Sequence, residues 1–180
     1  MQIIKGDLWG FTQEADAICI PVNGFVKRNG DAVIGRTGLA HYTITYHNSQ
    51  FGTLVGNVFK FAGYSVQKIA QLKRYPTWLI TFPTKPDRMN SDGTNVIESK
   101  SSDFPKGKSV PGWACKADLY TIAKSCLELK DLTNKEGFGN IYLPKIGTGT
   151  GERKWEEIEP ILKVSLDDDR FKVIDYDIPY

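Results

Sequence analysis

Residues Asn140-Ile141-Tyr142-Leu143-Pro144-Lys145-Ile146-Gly147-Thr148-Gly149-Thr150-Gly151 pass from a short apolar run into alternating glycine and threonine. The first part reads as a strand, Asn140–Pro144, because it is rich in β-branched and aromatic residues and bounded by Asn and Pro. The second part is a loop whose glycines let the backbone turn tightly, approach a ligand without Cβ clashes and aim successive N–H groups at an anion. Taken alone it is either a phosphate cradle or a tight turn. It lacks the Lys-Ser/Thr ending of a P-loop and the GxGxxG spacing, and it follows a late strand, so a nucleoside triphosphate or NAD fold is disfavoured.

Working outward, Leu119, Ile122, Ala123, Cys126 and Leu127 form the apolar stripe of a helix before this strand. Trp155, Ile158, Ile161, Leu162 and Leu166 form a second stripe after it, with Glu156 and Glu157 near its start, where negative charge suits the exposed N–H groups. Pro160 inside that stripe removes a backbone donor and is expected to bend the helix or limit its first turn. A strand follows at Phe171–Asp177. Strand, helix, strand, helix, strand builds a mostly parallel sheet with helices on both faces. The fold class is therefore α/β: a three-layer α/β/α sandwich with a mixed, mostly parallel central sheet.

The stretch Ala15–Asn23 is almost continuously apolar, as a central strand covered on both faces requires. Further strands are expected at Gln2–Lys5, Asn57–Phe61 and Trp78–Phe82, and a helix at Gly38–Ser49, although Thr43, Ile44 and Thr45 are β-branched. Residues 24–37 and 86–113 carry no pattern of their own. The second is long enough to be a functional lid or a disordered segment. With 180 residues the chain is expected to be one domain spanning 1–180, carrying a loop or insert at 86–113.

Composition narrows the function classes. Lys plus Arg number 23 against 21 Asp plus Glu, a net charge of +2 that leaves no global footprint for nucleic acid. Cys19, Cys115 and Cys126 are odd in number and unpaired in spacing, and with only His41 and His47 beside them a zinc cage is not expected. No apolar run nears the roughly 20 residues of a membrane span, and no signal-like start is present. The expectation is a cytoplasmic protein with no metal, cofactor or membrane partner, acting as a monomer.

In open parallel sheets ligands bind beyond the carboxyl ends of strands. Those ends carry Gly6-Asp7-Leu8, then Asn23 followed by Gly35-Arg36-Thr37-Gly38-Leu39-Ala40, then Pro83-Thr84-Lys85, and finally Ile146 to Gly151. Together with Ala15-Asp16-Ala17-Ile18, Pro21-Val22-Asn23 and Leu143-Pro144-Lys145-Ile146-Gly147-Thr148-Gly149 before Trp155, this combination resembles the macrodomain family of ADP-ribose-binding proteins. Thr81-Phe82-Pro83-Thr84-Lys85 looks most like its DNA ADP-ribosyl glycohydrolase antitoxin branch, whose members remove ADP-ribose from thymidine bases. That branch is similar to macrodomains that cleave ADP-ribose from protein carboxylates.

The resemblance implies roles residue by residue. Asp7 would accept a hydrogen bond from the adenine amino group, with backbone contacts from Leu8, and Asn23 would hold the distal ribose. Gly35, Gly38 and Leu39 would form the first diphosphate loop, and Gly147, Thr148, Gly149, Thr150 and Gly151 the second. Lys85 would act at the distal ribose, as an amine nucleophile forming a Schiff base or as a charged group polarising the departing one. The implied activity is hydrolysis of ADP-ribose from a nucleobase in DNA or a protein carboxylate. The alternatives are a reader that only binds ADP-ribose, and a phosphatase acting on ADP-ribose 1″-phosphate. The pattern departs from the carboxylate-cleaving branch where Gly151 replaces an aspartate and Glu152 is one residue out of register. Extra residues at 24–31 and a longer Arg36-Thr37-Gly38 also differ.

Each assignment has a plainer counterpart. Asp7 can cap its own turn, Asn23 can be a turn residue, and Lys85 can be a solvated loop lysine. Trp155 is a core residue or a stacking platform, and Cys19 an inert buried thiol. Lys100, Lys106, Lys108 and Arg88 either touch nucleic-acid phosphates locally or decorate a solvated loop.

Overall fold

A computed structural model describes residues 1–176. Six strands form one sheet: β1 (Gln2–Lys5), β2 (Ala17–Asn23), β3 (Lys68–Gln71), β4 (Trp78–Lys85), β7 (Ile141–Pro144) and β8 (Phe171–Asp175). Their order is β1-β8-β7-β2-β4-β3, with every pairing parallel except β3 with β4. The expected mixed, mostly parallel sheet is present. Of the Phe171–Asp177 strand, Asp175 is the last residue in register, and Asp177 lies outside the described residues.

Alternation along β2 divides the core. Ala17 and Cys19 point to one face, against Ile122, Cys126 and Leu129 of α3 (Leu119–Glu136) and Ile158 and Leu162 of α4 (Trp155–Ser165). Ile18, Ile20 and Val22 point to the other, against Leu39 of α1 (Leu39–Tyr42) and Phe51, Val55 and Phe59 of α2 (Phe51–Ala62). A strand sealed on both sides needs apolar residues at every position, which is why its sequence is continuous in character.

Local chemistry sets the helix ends. Asp118 caps α3 by accepting the Thr121 N–H at 2.8 Å, and Gly137 closes it in the left-handed conformation. In α4 the Glu157 carboxylate accepts the Lys154 N–H at 2.9 Å. Pro160 lies within α4 without ending it, and the helix runs on to Ser165.

Three expectations are corrected. Asn57–Phe61 is not a strand but part of α2. The β-branched and aromatic residues Val58, Phe59 and Phe61 imitate a strand, yet burial follows Phe51, Val55 and Phe59 at a helical spacing of four, and Phe61 is 82% exposed. A Cβ at Gly56 would come within 1.9 Å of the Gly30 carbonyl, so the helix packs on the 24–37 segment by backbone contact. The helix Gly38–Ser49 is shorter: α1 gives way to a π turn, Thr43–His47. The hydroxyls of Thr43 and Thr45 bond back to the Leu39 and His41 carbonyls, at 2.8 and 3.0 Å, where they compete with the helical ladder. Finally, residues 86–113 are neither patternless nor a bare lid. They carry the antiparallel pair β5 (Arg88–Asn90) with β6 (Ser109–Pro111), and their Val96 and Val110 join Ala114 and Cys115, just beyond, in a small core.

Candidate functional site

At the carboxyl ends of β2, β4, β7 and β8 a cleft of about 630 Å³ opens, a size typical of small-molecule sites. Asn23, Gly35, Gly38, Leu39, Lys85, Gly147, Thr148, Gly149, Thr150 and Gly151 all line it. Asp7 and Leu8 do not. Tyr176, which does line the cleft, accepts the Leu8 N–H through its hydroxyl at 3.2 Å and connects that turn to the opening.

Asp7 Oδ1 accepts the Trp9 N–H at 3.1 Å and caps the short 3₁₀ turn Leu8–Phe11. Asn23 likewise pins its own loop, donating to the Val33 carbonyl at 2.8 Å and accepting from the Phe25 N–H at 3.1 Å. It remains a lining residue of the cleft.

The second glycine loop is shaped so that most of its carbonyls are occupied. Those of Lys145, Gly147, Gly149 and Gly151 accept from Thr148 Oγ1, Arg153 N, Glu152 N and Ala117 N. The N–H groups of Thr148, Gly149 and Thr150 have no backbone acceptor among the described residues. Such a run of unspent donors in a concave loop suits an anion. Glycine is strongly favoured at 147, with φ of 75° and a Cβ position 2.8 Å from Ile158 Cδ1.

Lys85 is not a solvated loop residue. It ends β4, is only 6% exposed, and its Nζ donates to the Thr150 carbonyl at 2.7 Å. Burial pulls its pKa down to about 8, opposed by Cys115 and by the Glu152 carboxylate. The Cys115 thiol is itself pushed up to about 11 by burial, so at neutral pH it carries no charge and Glu152 is the effective anion. An amine able to lose its proton near neutrality, inside a cleft, has the character of a functional group.

Sequence reasoning missed several residues here. Tyr64, following α2, sets its hydroxyl between the Val22 carbonyl, at 3.1 Å, and the Lys85 carbonyl, its one proton shared between the two acceptors. Lys145 pairs with Asp175 at 2.6 Å and lies 5.5 Å from the centre of the Trp155 ring, so Trp155 is both a core residue and a platform for an ammonium. Ile97 and Trp113 reach the cleft from the insert. Neighbouring Gly or Pro signals could not reveal them, since they arrive from a segment with sparse apolar residues.

The insert's cations are largely engaged within it. Lys100 pairs with Asp103 at 3.3 Å, Lys108 donates to the Asp103 carbonyl at 2.8 Å, and Arg88 donates to Ser109 Oγ at 3.4 Å. His47 stacks on Trp9 with centroids 3.8 Å apart. Cys19 is fully buried and its thiol pKa is raised by desolvation. Among the described residues no three His, Cys, Asp or Glu side chains gather as a metal-ligand set.

The position Gly151 explains the departure noted in the sequence. A Cβ there would meet the Gly147 carbonyl at 2.4 Å and Ala117 Cβ at 2.8 Å, so the loop has no room for an acidic side chain. The carboxylate appears instead on Glu152.

Solved structures of the same architecture settle the fold. The macrodomain of Mycobacterium tuberculosis DarG superposes with a TM-score of 0.66 at 20% identity, over 99% of this chain and 97% of that one. This is a macrodomain fold. The macrodomain of Thermus aquaticus DarG matches equally well, TM-score 0.66 at 16% identity, over 98% and 97% of the two chains. Thermosipho africanus DarTG in complex with ADP-ribose gives 0.64 at 18% identity, over 97% of this chain and 41% of that one. No protein-family model and no curated protein matches the sequence. In macrodomain terms, the cleft described above lies between the two glycine loops at the carboxyl edge of the sheet.

Proposed function

We propose that this macrodomain binds ADP-ribose in the cleft and hydrolyses the bond joining its distal ribose to a nucleobase in DNA or to a protein carboxylate. The observation that carries this reading is Lys85, a buried amine held against the second glycine loop by the Thr150 carbonyl. A Thermosipho africanus DarTG of the same fold is complexed with ADP-ribose, which supports the ligand. The loop N–H groups of Thr148 to Thr150 suit the diphosphate.

The lowered pKa favours Lys85 as nucleophile. Its neutral amine attacks C1″ of the distal ribose, and the C1″ bond to the base or carboxylate breaks with the electron pair leaving on the departing group. That group takes up the proton released by the amine. The glycosylamine opens to an imine, and water returns ADP-ribose and the free amine.

The test incubates wild type and Lys85→Ala with DNA ADP-ribosylated on thymidine or guanosine and with protein ADP-ribosylated on glutamate. Released ADP-ribose is measured, with binding of free ADP-ribose followed by calorimetry. Loss of release with retained binding supports the proposal. Equal release by both proteins removes the lysine mechanism, binding without release on any substrate leaves a reader, and release of phosphate alone from ADP-ribose 1″-phosphate makes the protein a phosphatase.

A further inference from the structure

Glu152 is the one residue other than glycine, among those described, whose φ falls in the left-handed region, at 52°. A side-chain-bearing residue adopts that conformation at a cost, and such positions persist where their surroundings demand them. Here the demand is visible on the neighbouring segment. Both carboxylate oxygens of Glu152 accept the backbone N–H of Glu98, at 3.1 and 2.9 Å. Glu98 opens the 3₁₀ turn Glu98–Lys100 of the insert, so the carboxylate caps the start of that turn.

The other side of the same segment is also fastened. Ile97 N–H donates to the Ala114 carbonyl at 3.0 Å, and Val96 bridges Cys115, whose thiol is an electrostatic neighbour of Lys85. Ile97 is thereby fixed between two anchors, and it lines the cleft with Trp113. The loop that carries Glu152 is itself the partner of Lys85, through Thr150.

We propose that Glu152 is a positioning residue, whose carboxylate clasps the insert to the second glycine loop and holds Ile97 as the wall of the subsite that receives the group leaving the distal ribose. The clasp stands on its own hydrogen bonds; its effect on turnover rests on the activity proposed above. An aspartate at 151 has no space, and a carboxylate one residue later, thrown outward by the left-handed backbone, does different work.

The experiment follows Glu98 amide hydrogen exchange by NMR in the ligand-free wild type, Glu152→Gln, Glu152→Ala and Glu152→Gly. Exchange at least fivefold faster in the Ala and Gly variants, with Gln between them and wild type because its carbonyl still accepts, supports the clasp. Equal exchange in wild type, Ala and Gly overturns it, whatever the activity. The Gly variant also relieves the backbone strain, so a melting temperature at or above that of Ala shows that a lost function is not lost folding. In the second arm, Glu152→Gly keeps its affinity for free ADP-ribose within twofold but loses at least tenfold in kcat/KM on an ADP-ribosylated thymidine oligonucleotide. Parallel losses on both ligands overturn the positioning role. Should wild type release no ADP-ribose from any adduct, the hydrolase reading fails by itself, and the clasp is judged on amide exchange and on the Kd for the same oligonucleotide.

Discussion

Lys85 stands opposite Asn23 across the β2–β4 ladder because Thr84 is an extra residue on its strand. The register runs Pro21 with Phe82 and Val22 with Pro83, then skips to Asn23 with Lys85. A bulge of this kind turns the following side chain to the other face, and bulges gather beside functional sites. Pro83 fits at this point, since its missing N–H costs least where the ladder is already irregular. Thr84 Oγ1 donates to the Val22 carbonyl at 3.2 Å and stabilises the step.

Tyr64 fastens both sides of that irregularity, through the Val22 and Lys85 carbonyls. Tyr64→Phe is therefore expected to destabilise the protein by about 1–2 kcal/mol, the cost of leaving buried carbonyls with one partner fewer. On the proposed activity, turnover should fall further than ADP-ribose affinity, because Lys85 loses its register. Urea denaturation and kinetics on the same variant check both parts. Unchanged stability would show that the hydroxyl contributes no net hydrogen bond.

Burying an ammonium should make Lys85 a liability to folding. Its pKa falls from the ordinary 10.5 to about 8 because burial penalises the charged form. The unfolded chain thus binds the proton more tightly than the native one. The penalty is complete below pH 8, shrinks as pH rises towards 10.5 and vanishes above it. Lys85→Met is expected to be more stable than wild type by on the order of 2 kcal/mol at pH 7, with the difference closing between pH 8 and 10.5. Paired denaturation curves across that range are the measurement, and a pH-independent difference would place the amine in water.

Much of this architecture could be read from residues, and the failures have physical causes. Ala17 to Val22 announces a central strand because both faces are sealed, and Gly147 to Gly151 announces its loop because the positive φ at Gly147 favours glycine. By contrast, β3 is a four-residue edge strand whose Lys68 and Gln71 leave only Ile69 and Ala70 as signal. The insert's core joins Val96, Val110 and Cys115, residues too dispersed for any periodicity. Tyr64, Tyr176 and Glu152 owe their importance to partners distant in sequence, which no local pattern records.

The two readings of Asp7 can be separated by one pair of substitutions. Asp7→Asn retains an oxygen for the Trp9 N–H, so stability should change by less than about 0.5 kcal/mol, whereas Asp7→Ala loses the cap and about 1 kcal/mol. If Asp7 also accepts from adenine, both variants weaken ADP-ribose binding by about 1–3 kcal/mol. Calorimetric titration beside thermal melts resolves the matter: unaltered affinity in Asp7→Asn would confine Asp7 to its cap.

Restoring an aspartate at 151 should not restore carboxylate chemistry. Its Cβ would fall 2.4 Å from the Gly147 carbonyl and 2.8 Å from Ala117 Cβ, and both neighbours are held, the first by the Arg153 N–H and the second within the bonded segment Ala117–Asp118. Neither contact is the end of a flexible side chain, so the loop must shift. Gly151→Ala already suffers the clash and is expected to cost about 1–3 kcal/mol, a typical overpacking penalty. Gly151→Asp should cost at least as much and displace the Thr150 carbonyl from Lys85. Melting curves report the first effect and ADP-ribose affinity the second. A Gly151→Asp protein as stable as wild type, with new activity on glutamate-linked ADP-ribose, would show that the loop yields where its packing says it cannot.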